Sequence, residues 1–485
     1  MVILLILLIK SREINMTGIV WFRKDLRTED NKALFHAAEK HESIIGLYLL
    51  DLNMWKLHQV SDCQISFILE GLKVLISQLK KYNIPLIVEK LETKEIPDKI
   101  LTLMKLHKAE SLYFNRQYEL DEKRRDLSVT TTLKKNGFSC HEFDDQIILP
   151  PSTVQTNQGT TFKVFTSFKK AWYQKILSSK PLKLLPPPRE QKCILLIPEK
   201  VPAALKNIKY NIDNSLWPAG ETSARKKLTD FIKNQAANYH LHRDFPGLSG
   251  TSLLSPYLAT GMISPRQCLI KALEILKDQD KNKGIETWIN ELIWRDFYKD
   301  LLDSFPRLSM NQPFKLNTKK IKWRFDHDQW SAWEEGMTGF PIIDAGMRQL
   351  KQIGWMHNRV RMIVAMFLTK NLLIDWRLGE KHFISHLIDG DLAANNGGWQ
   401  WSASTGTDAA PYFRIFNPTL QSQRYDPEGK YIRQYCPELA SFDNRSIHDP
   451  HYFNAALAKK TKYPQPIIDL KFSRARAIEA FKAIL

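Results

Sequence analysis

Cysteine is scarce in this chain. Its 485 residues include only Cys63, Cys140, Cys193, Cys268 and Cys436. They are odd in number, far apart, and form no C-x-x-C and no pairing with histidine at metal spacing. A disulfide framework and a zinc site are therefore excluded, and a reduced, cytoplasmic chain is expected. Long apolar runs are absent too. Val2 to Ile9 is too short to span a bilayer and lacks the flanks of a signal peptide, so no membrane partner is expected. Met1 to Asn15 reads as an extension ahead of a working start at Met16. The first strand pattern runs into WFRKDLR rather than G-x-G-x-x-G, which removes the usual ground for a dinucleotide site there. No repeat of fixed period is visible. Acidic groups are in deficit, 52 Asp and Glu against 70 Lys and Arg, leaving a formal charge of +18.

What is present is ordinary globular composition, 43% hydrophobic and 25% charged, which excludes a disordered chain and allows two or three domains. Charges nearly balance over residues 1–150, so almost the whole basic excess lies in residues 151–485. A polyanion is the natural partner of such a surface, and it should meet the second half. From Gly18 the runs IVWFRKDL, SIIGLYLLD, PLIVEK, SLYFN and FSCHEFDD read as strands. Between them lie helical patterns such as Ile65, Leu69, Leu72 and Ile76. Strands alternating with helices predict a doubly wound parallel α/β sheet, Rossmann-like, over residues 16–150. Residues 151–220 lose the alternation and contain KPLKLLPPPRE, which favours an extended linker. Helical periodicity fills residues 221–485, predicting a mainly α second domain.

Nine of the 13 tryptophans fall between Trp288 and Trp401. A tryptophan-rich core is the simplest explanation for any one of them. Some, however, sit in polar company: Trp294 beside Arg295 and Asp296, and Trp399 and Trp401 after DGDLAANNGG. In WINELIWRDFY, residues Glu291, Trp294, Arg295 and Tyr298 share one helical surface, and in WMHNRVRM so do Asn358, Arg361 and Met362. Together with the two aspartates of LIDGDLAANN, these groups suit a planar heteroaromatic ligand, stacked and hydrogen-bonded at its edges.

The strings GTSLLSPYLATGMISPRQC, WINELIWRDFY, GWMHNRVRM and LIDGDLAANNGGWQWSASTGTDAAPYFRIFNP closely resemble the photolyase and cryptochrome family, nearest its class I cyclobutane pyrimidine dimer branch. The resemblance runs from VWFRKDLR to YPQPIIDLK. It implies a buried FAD in the helical domain. Tyr239, Thr251, Ser252, Leu254 and Ser255 would hold its phosphates and ribityl chain, with Arg295 nearby. Arg361 and Asp389 would pair over the ring, Asp391 would lie near the flavin edge, and Asn395 would face N5. The implied substrate is a pyrimidine dimer in UV-damaged DNA, flipped out of the duplex. It would be held by Glu291, Trp294, Asn358, Met362 and Trp401, with Arg243 on the DNA backbone. The implied reaction is light-driven splitting of the cyclobutane ring by an electron that is lent and returned, with no net redox change. Trp399, Trp376 and Trp323 match the family's electron relay, which rereduces oxidised flavin.

The resemblance also implies an antenna chromophore between the domains, where His58 and Glu122 match folate contacts. The chain departs from that pattern at Asp121, Ser309 and Met310, which replace an asparagine, a cysteine and a lysine. A weakly bound methenyltetrahydrofolate is therefore expected, with a deazaflavin or no antenna as alternatives. Asn358 and Met362 follow the dimer-repair pattern rather than the histidine pair of (6-4) enzymes. A cryptochrome-type photoreceptor is the main alternative function, ahead of a DASH-type cryptochrome or a purely structural nucleic-acid binder. A monomer is expected.

Overall fold

Five parallel strands form the first unit: β1 (Thr17–Phe22), β2 (Ser43–Leu50), β3 (Leu86–Lys90), β4 (Ala109–Asn115) and β5 (Ser139–Phe143). The computed structural model describes residues 17–193, 215–276 and 282–484. The extension at residues 1–15 thus lies outside the described residues. The sheet order is β3-β2-β1-β4-β5, with Gly18 opposite Ile44 and Leu47 opposite Ile87. Every residue of β1 and β2 is buried, as expected when helices cover both faces of a parallel sheet. Those helices include α1 (Lys32–Lys40), α2 (Asp62–Lys80), α3 (Ile96–Leu106) and α4 (Leu120–Lys135). The doubly wound expectation is met.

The connecting segment differs from the extended linker expected. It contains α5 (Phe165–Ser178), which buries Phe165, Phe168 and Trp172. The proline run itself takes no regular structure, and residues 194–214 lie outside the described residues. The second unit is helical, with α6 (Glu221–Asn234), α7 (Pro265–Ile275), α8 (Asn282–Ser304), α9 (His327–Glu335), α10 (Pro341–Ile353), α11 (Asn358–Met366), α12 (Trp376–Ile384), α13 (Leu392–Ser402) and α14 (Leu470–Lys482) as its longer members.

Buried charge locks the two units together. Asp145, after β5, meets Arg27 and Arg266, the latter at 2.6 Å, and Arg266 also reaches Asp30 at 2.9 Å. Burial alone would raise the Asp145 carboxyl, but the two guanidiniums hold it down at about 2. Glu221 accepts from the Thr28 backbone and hydroxyl, both at 2.9 Å. Gly261 has φ +71°, and a Cβ there would lie 2.1 Å from the Lys24 carbonyl. Only glycine lets the helical unit approach the β1 exit this closely.

Candidate functional site

Helix α8 is buried along most of its length, yet Glu291, Trp294, Arg295 and Tyr298 are all only half-buried. The predicted stripe is therefore the less buried side of α8, although Trp294 and Tyr298 still pack against the core. Their neighbour Asp296 faces the other way. It accepts from Ile148 at 3.1 Å, Leu149 at 3.3 Å and Trp172 Nε1 at 3.1 Å, and burial pushes its carboxyl up to about 6. Asp296 thus anchors the segment after β5 and the linker helix. The linker also supplies an aromatic: Phe165 stacks on Trp294 with centroids 3.5 Å apart and planes 6° from parallel. Tyr298 lies against the same indole at 5.4 Å.

Arg243 donates to Glu291 at 2.6 Å and packs over the Tyr239 ring. Burial raises the Glu291 carboxyl in spite of that partner. Arg295 donates to the backbone carbonyls of Gln146 and Leu258, the latter at 3.3 Å, so it ties the second unit to the segment after β5.

The two aspartates of LIDGDLAANN have separate cations. Arg361 Nη2 reaches both oxygens of Asp389, at 3.0 and 2.8 Å, while its Nε donates to the Met356 carbonyl. Asp391 caps α13 by accepting from Ala394 at 3.2 Å and meets Lys299 Nζ at 2.8 Å. Burial would raise the Asp391 carboxyl, but Lys299, Arg295 and Lys24 hold it well below the usual carboxylate range. Lys299 escaped the sequence analysis. It sits four residues after Arg295 on α8, a spacing that could have flagged it. Gln64 of α2 also escaped notice: its amide donates to the Gly390 carbonyl at 2.8 Å and fixes the turn between the two aspartates.

Helix α13 forms over NNGGWQW as expected, and its exposed positions are Ala394 and Gly398, one turn apart. A Cβ on Gly398 would meet nothing within 4 Å. Small side chains and open space give a flat wall on which a planar ring can lie. Asn395 stands on this wall. Its Nδ2 donates to the Glu380 carbonyl at 2.9 Å, which leaves the amide oxygen as the free acceptor. Glu380 itself is buried and accepts from Asn396 at 3.0 Å; burial pushes its carboxyl up to about 7. Opposite in character is the loop before Ser255. No backbone N–H from Thr251 to Leu254 donates to another described residue, and Trp355 Nε1 donates to the Ser255 hydroxyl at 3.2 Å. Unengaged N–H and hydroxyl groups in one loop suit phosphate oxygens. Asn358 is exposed, and Met362 and Trp401 are half-buried.

Trp399 and Trp376 are buried in one core cluster, against which Trp323 packs at the edge. Among the described residues, neither Trp399 and Trp376 nor Trp376 and Trp323 stack ring on ring. Trp323 meets Phe481 at 6.1 Å.

A cavity of about 440 Å³ opens between the units and runs from His58, Asp121, Glu122 and Ser309 as far as Glu380 and Asn395. His58 lies 3.2 Å from Asp121 and 3.5 Å from Glu122. Burial would lower its imidazole, yet hydrogen bonds to the two carboxylates raise it. Met310 is 54% exposed. Among the described residues no group of side chains could hold a metal ion, and no helix is long and apolar enough to cross a membrane.

Residues 288–483 match the family described as the FAD binding domain of DNA photolyase, and residues 18–189 match the family described as DNA photolyase. The chain is 43% identical over 470 residues to the deoxyribodipyrimidine photo-lyase of Salmonella typhimurium, covering 96% of this chain and 98% of that one. It is 42% identical over 476 residues to the Escherichia coli protein of the same name, with the same coverage. A class III photolyase from Agrobacterium tumefaciens superposes with a TM-score of 0.89 at 35% identity, covering 97% of this chain and 98% of the other. A Synechocystis cryptochrome gives 0.86 at 28% identity, covering 96% and 99%.

Proposed function

Since the chain belongs to the DNA photolyase family, we propose that the residues gathered on α8, α11 and α13 carry its reaction, the light-driven repair of cyclobutane pyrimidine dimers in DNA. The function itself follows from relatives of one activity matched over nearly their whole length. The observation that carries the residue assignment is the open wall of α13, where Asn395 offers a free oxygen on the helix that follows two buried, separately neutralised aspartates.

FAD fits these residues. Tyr239, Thr251, Ser252, Leu254 and Ser255 would hold its phosphates and ribityl chain. Arg361, Asp389, Asp391 and Asn395 would surround the ring. When bound and reduced, the flavin supplies the photoexcited electron that splits the dimer and takes it back afterwards. The protein supplies orientation and charge. Asn395 offers an acceptor to a ring N–H, whereas a carboxylate there would repel an anionic ring. Asp389 and Asp391, each tied to a cation, add little net charge. Glu291 would accept from the N3–H groups of the pyrimidines. Trp294 and Trp401, with Asn358 and Met362, would line the pocket, and stacking on the indoles offsets the base stacking lost on flipping. One face of Trp294 already carries Phe165, so that indole offers its other face or an edge.

Arg243, held on Glu291, would position that carboxylate and add positive charge beside the DNA backbone. Trp399, Trp376 and Trp323 would relay electrons that rereduce oxidised flavin. The domain limits proposed are residues 16–150, 151–220 and 221–485, with the linker helix counted as part of the pocket wall. The cleft at His58 and Glu122 would take a folate-type antenna, methenyltetrahydrofolate, held weakly because Asp121 is already engaged by His58 and Met310 offers no charge to a carboxylate tail.

Glu291→Ala tests the assignment. Purified holoprotein of this variant should keep its flavin yet bind dimer-containing duplex more weakly by about 2 kcal/mol, the usual cost of a lost hydrogen bond to a charged group, with a matching loss of repair under blue light. Loss of flavin instead would place Glu291 in the cofactor site. The reading of Trp399 has its own check: Trp399→Phe should abolish photoreduction while chemically reduced protein still repairs.

A further inference from the structure

We infer that Phe165, the first residue of the linker helix α5, is a positioning residue for the lesion: it fixes the angle of the Trp294 indole, and Asp408 in turn fixes Phe165 to the loop that follows Trp401. The inference rests on the reading of Trp294 and Trp401 as the indoles that receive the flipped-out dimer. An indole on the half-buried side of a helix can turn about two side-chain torsions, so its angle depends on what packs against it. Tyr298, one turn further along α8, meets it at 5.4 Å with planes 28° apart. Phe165 covers it flat, 3.5 Å away and 6° from parallel. Phe165 has nowhere to retreat. It is buried, and its ring also meets Phe297 of α8 at 5.8 Å, which Phe168 meets from the next turn of α5 at 5.1 Å.

The start of α5 is held by the element that carries the second indole. Val164, at the N-cap position, has no side chain able to accept a hydrogen bond. Asp408 caps the helix instead, its Oδ2 accepting from the Phe165 N–H at 3.0 Å, and a carboxylate there also meets the positive end of the helix dipole. The Thr407 hydroxyl donates to the Lys163 carbonyl at 2.5 Å, so two consecutive loop residues grip the entry to α5. That loop leaves the end of α13 and folds back on it: the backbone N–H groups of Ser404 and Ala410 both donate to the Trp401 carbonyl, at 3.3 and 3.2 Å. Phe165 is therefore tied through its ring to Trp294 and through its backbone to a segment anchored on Trp401.

Two pyrimidines joined by a cyclobutane ring are locked at a fixed angle and cannot rotate independently to suit the wall they meet. A wall whose angle is set beforehand avoids the entropy cost of ordering the indole on binding, and only a ligand of matching shape benefits. Undamaged DNA, held through its phosphates, gains nothing from it. Phe165 thus acts on selection of the lesion and not on the electron transfer.

The test measures equilibrium binding of flavin-loaded protein in the dark to duplex DNA with and without a single cyclobutane thymine dimer. Phe165→Leu keeps an apolar side chain but removes the flat face. It should weaken dimer binding about two- to tenfold, the effect of leaving one large side chain to be ordered on binding. Affinity for undamaged duplex, flavin content and repair per absorbed photon at saturating DNA should stay at the parent values. Asp408→Ala, at an exposed position, should show a smaller loss of the same kind. In a Trp294→Ala background Phe165→Leu should cost nothing further, because the indole it positions is gone. Full dimer affinity in both Phe165→Leu and Asp408→Ala, a parallel loss for undamaged DNA, loss of flavin, or an equal effect with and without Trp294 overturns the positioning role. Unchanged dimer affinity in Trp294→Ala alone would instead overturn the reading of Trp294 on which it rests.

Discussion

At the end proposed to face the flavin, Arg361 pairs with Asp389 and Lys299 with Asp391, both at 2.8 Å. At the cleft proposed for an antenna a single imidazole, His58, faces two carboxylates, and nearby Asp121 is half-buried and Met310 exposed. The first surface is preorganised. Its groups cannot turn elsewhere without stranding a charge, so the atoms left free point to a ligand. At the second, the two carboxylates share one imidazole rather than having a cation each, and Glu122 keeps a buried oxygen without a hydrogen-bond partner.

The sharpest way to break the contrast is Arg361→Ala. It leaves the Asp389 carboxylate buried without its cation, which should cost about 3 kcal/mol of folding stability and most of the bound flavin, read by denaturant unfolding and by absorbance of the purified protein. A variant of normal stability with full flavin would show that the pair is not required.

Next in size is Glu380→Gln, which probes the wall behind Asn395. The Glu380 carboxyl titrates at about 7 in the folded protein because it is buried. The native state therefore holds a proton that the unfolded chain releases at lower pH. Stability from this group is greatest below its unfolded value and falls as pH rises towards 7. Glutamine keeps the acceptor for Asn396 and removes the fall, so the variant should gain roughly 1 to 3 kcal/mol over the parent at pH 8, and little at pH 5. Equal unfolding curves at both pH values would remove the buried proton from the account.

The smallest effect is expected at the cleft. Met310→Lys restores one cation at an exposed position, and exposed pairs contribute about 0.2 to 1 kcal/mol. Methenyltetrahydrofolate should bind about two- to fivefold more tightly, read by titration of its near-UV band and sensitive to salt. A change as large as that at Arg361 would mean that the cleft is preorganised after all.

Much of the fold was legible because periodicity is local. The five strand runs and the helix over Ile65, Leu69 and Leu72 need only neighbours a few residues apart. The linker helix α5 was not legible, since its apolar face is matched only by α8, more than a hundred residues later, through Phe165 on Trp294 and Trp172 on Asp296. Of the site, the Arg361 and Asp389 pair was found from its motif, whereas Lys299 was passed over although its spacing from Arg295 places it on the same helical face. Asp296, noted only as polar company for Trp294, is a structural anchor.

By itself the sequence determined the parallel α/β unit, the helical unit, the basic excess of the second half and the side chains proposed to surround a flavin, because hydropathy period, charge and motif are written residue by residue. Only the tertiary structure decided which of those side chains remain free. Asn395 has a spare oxygen because α12 takes its amide hydrogen, and Arg243 is held on Glu291 rather than left in solvent. Such facts depend on distances between elements far apart in the chain, and those distances are set by how the whole core packs.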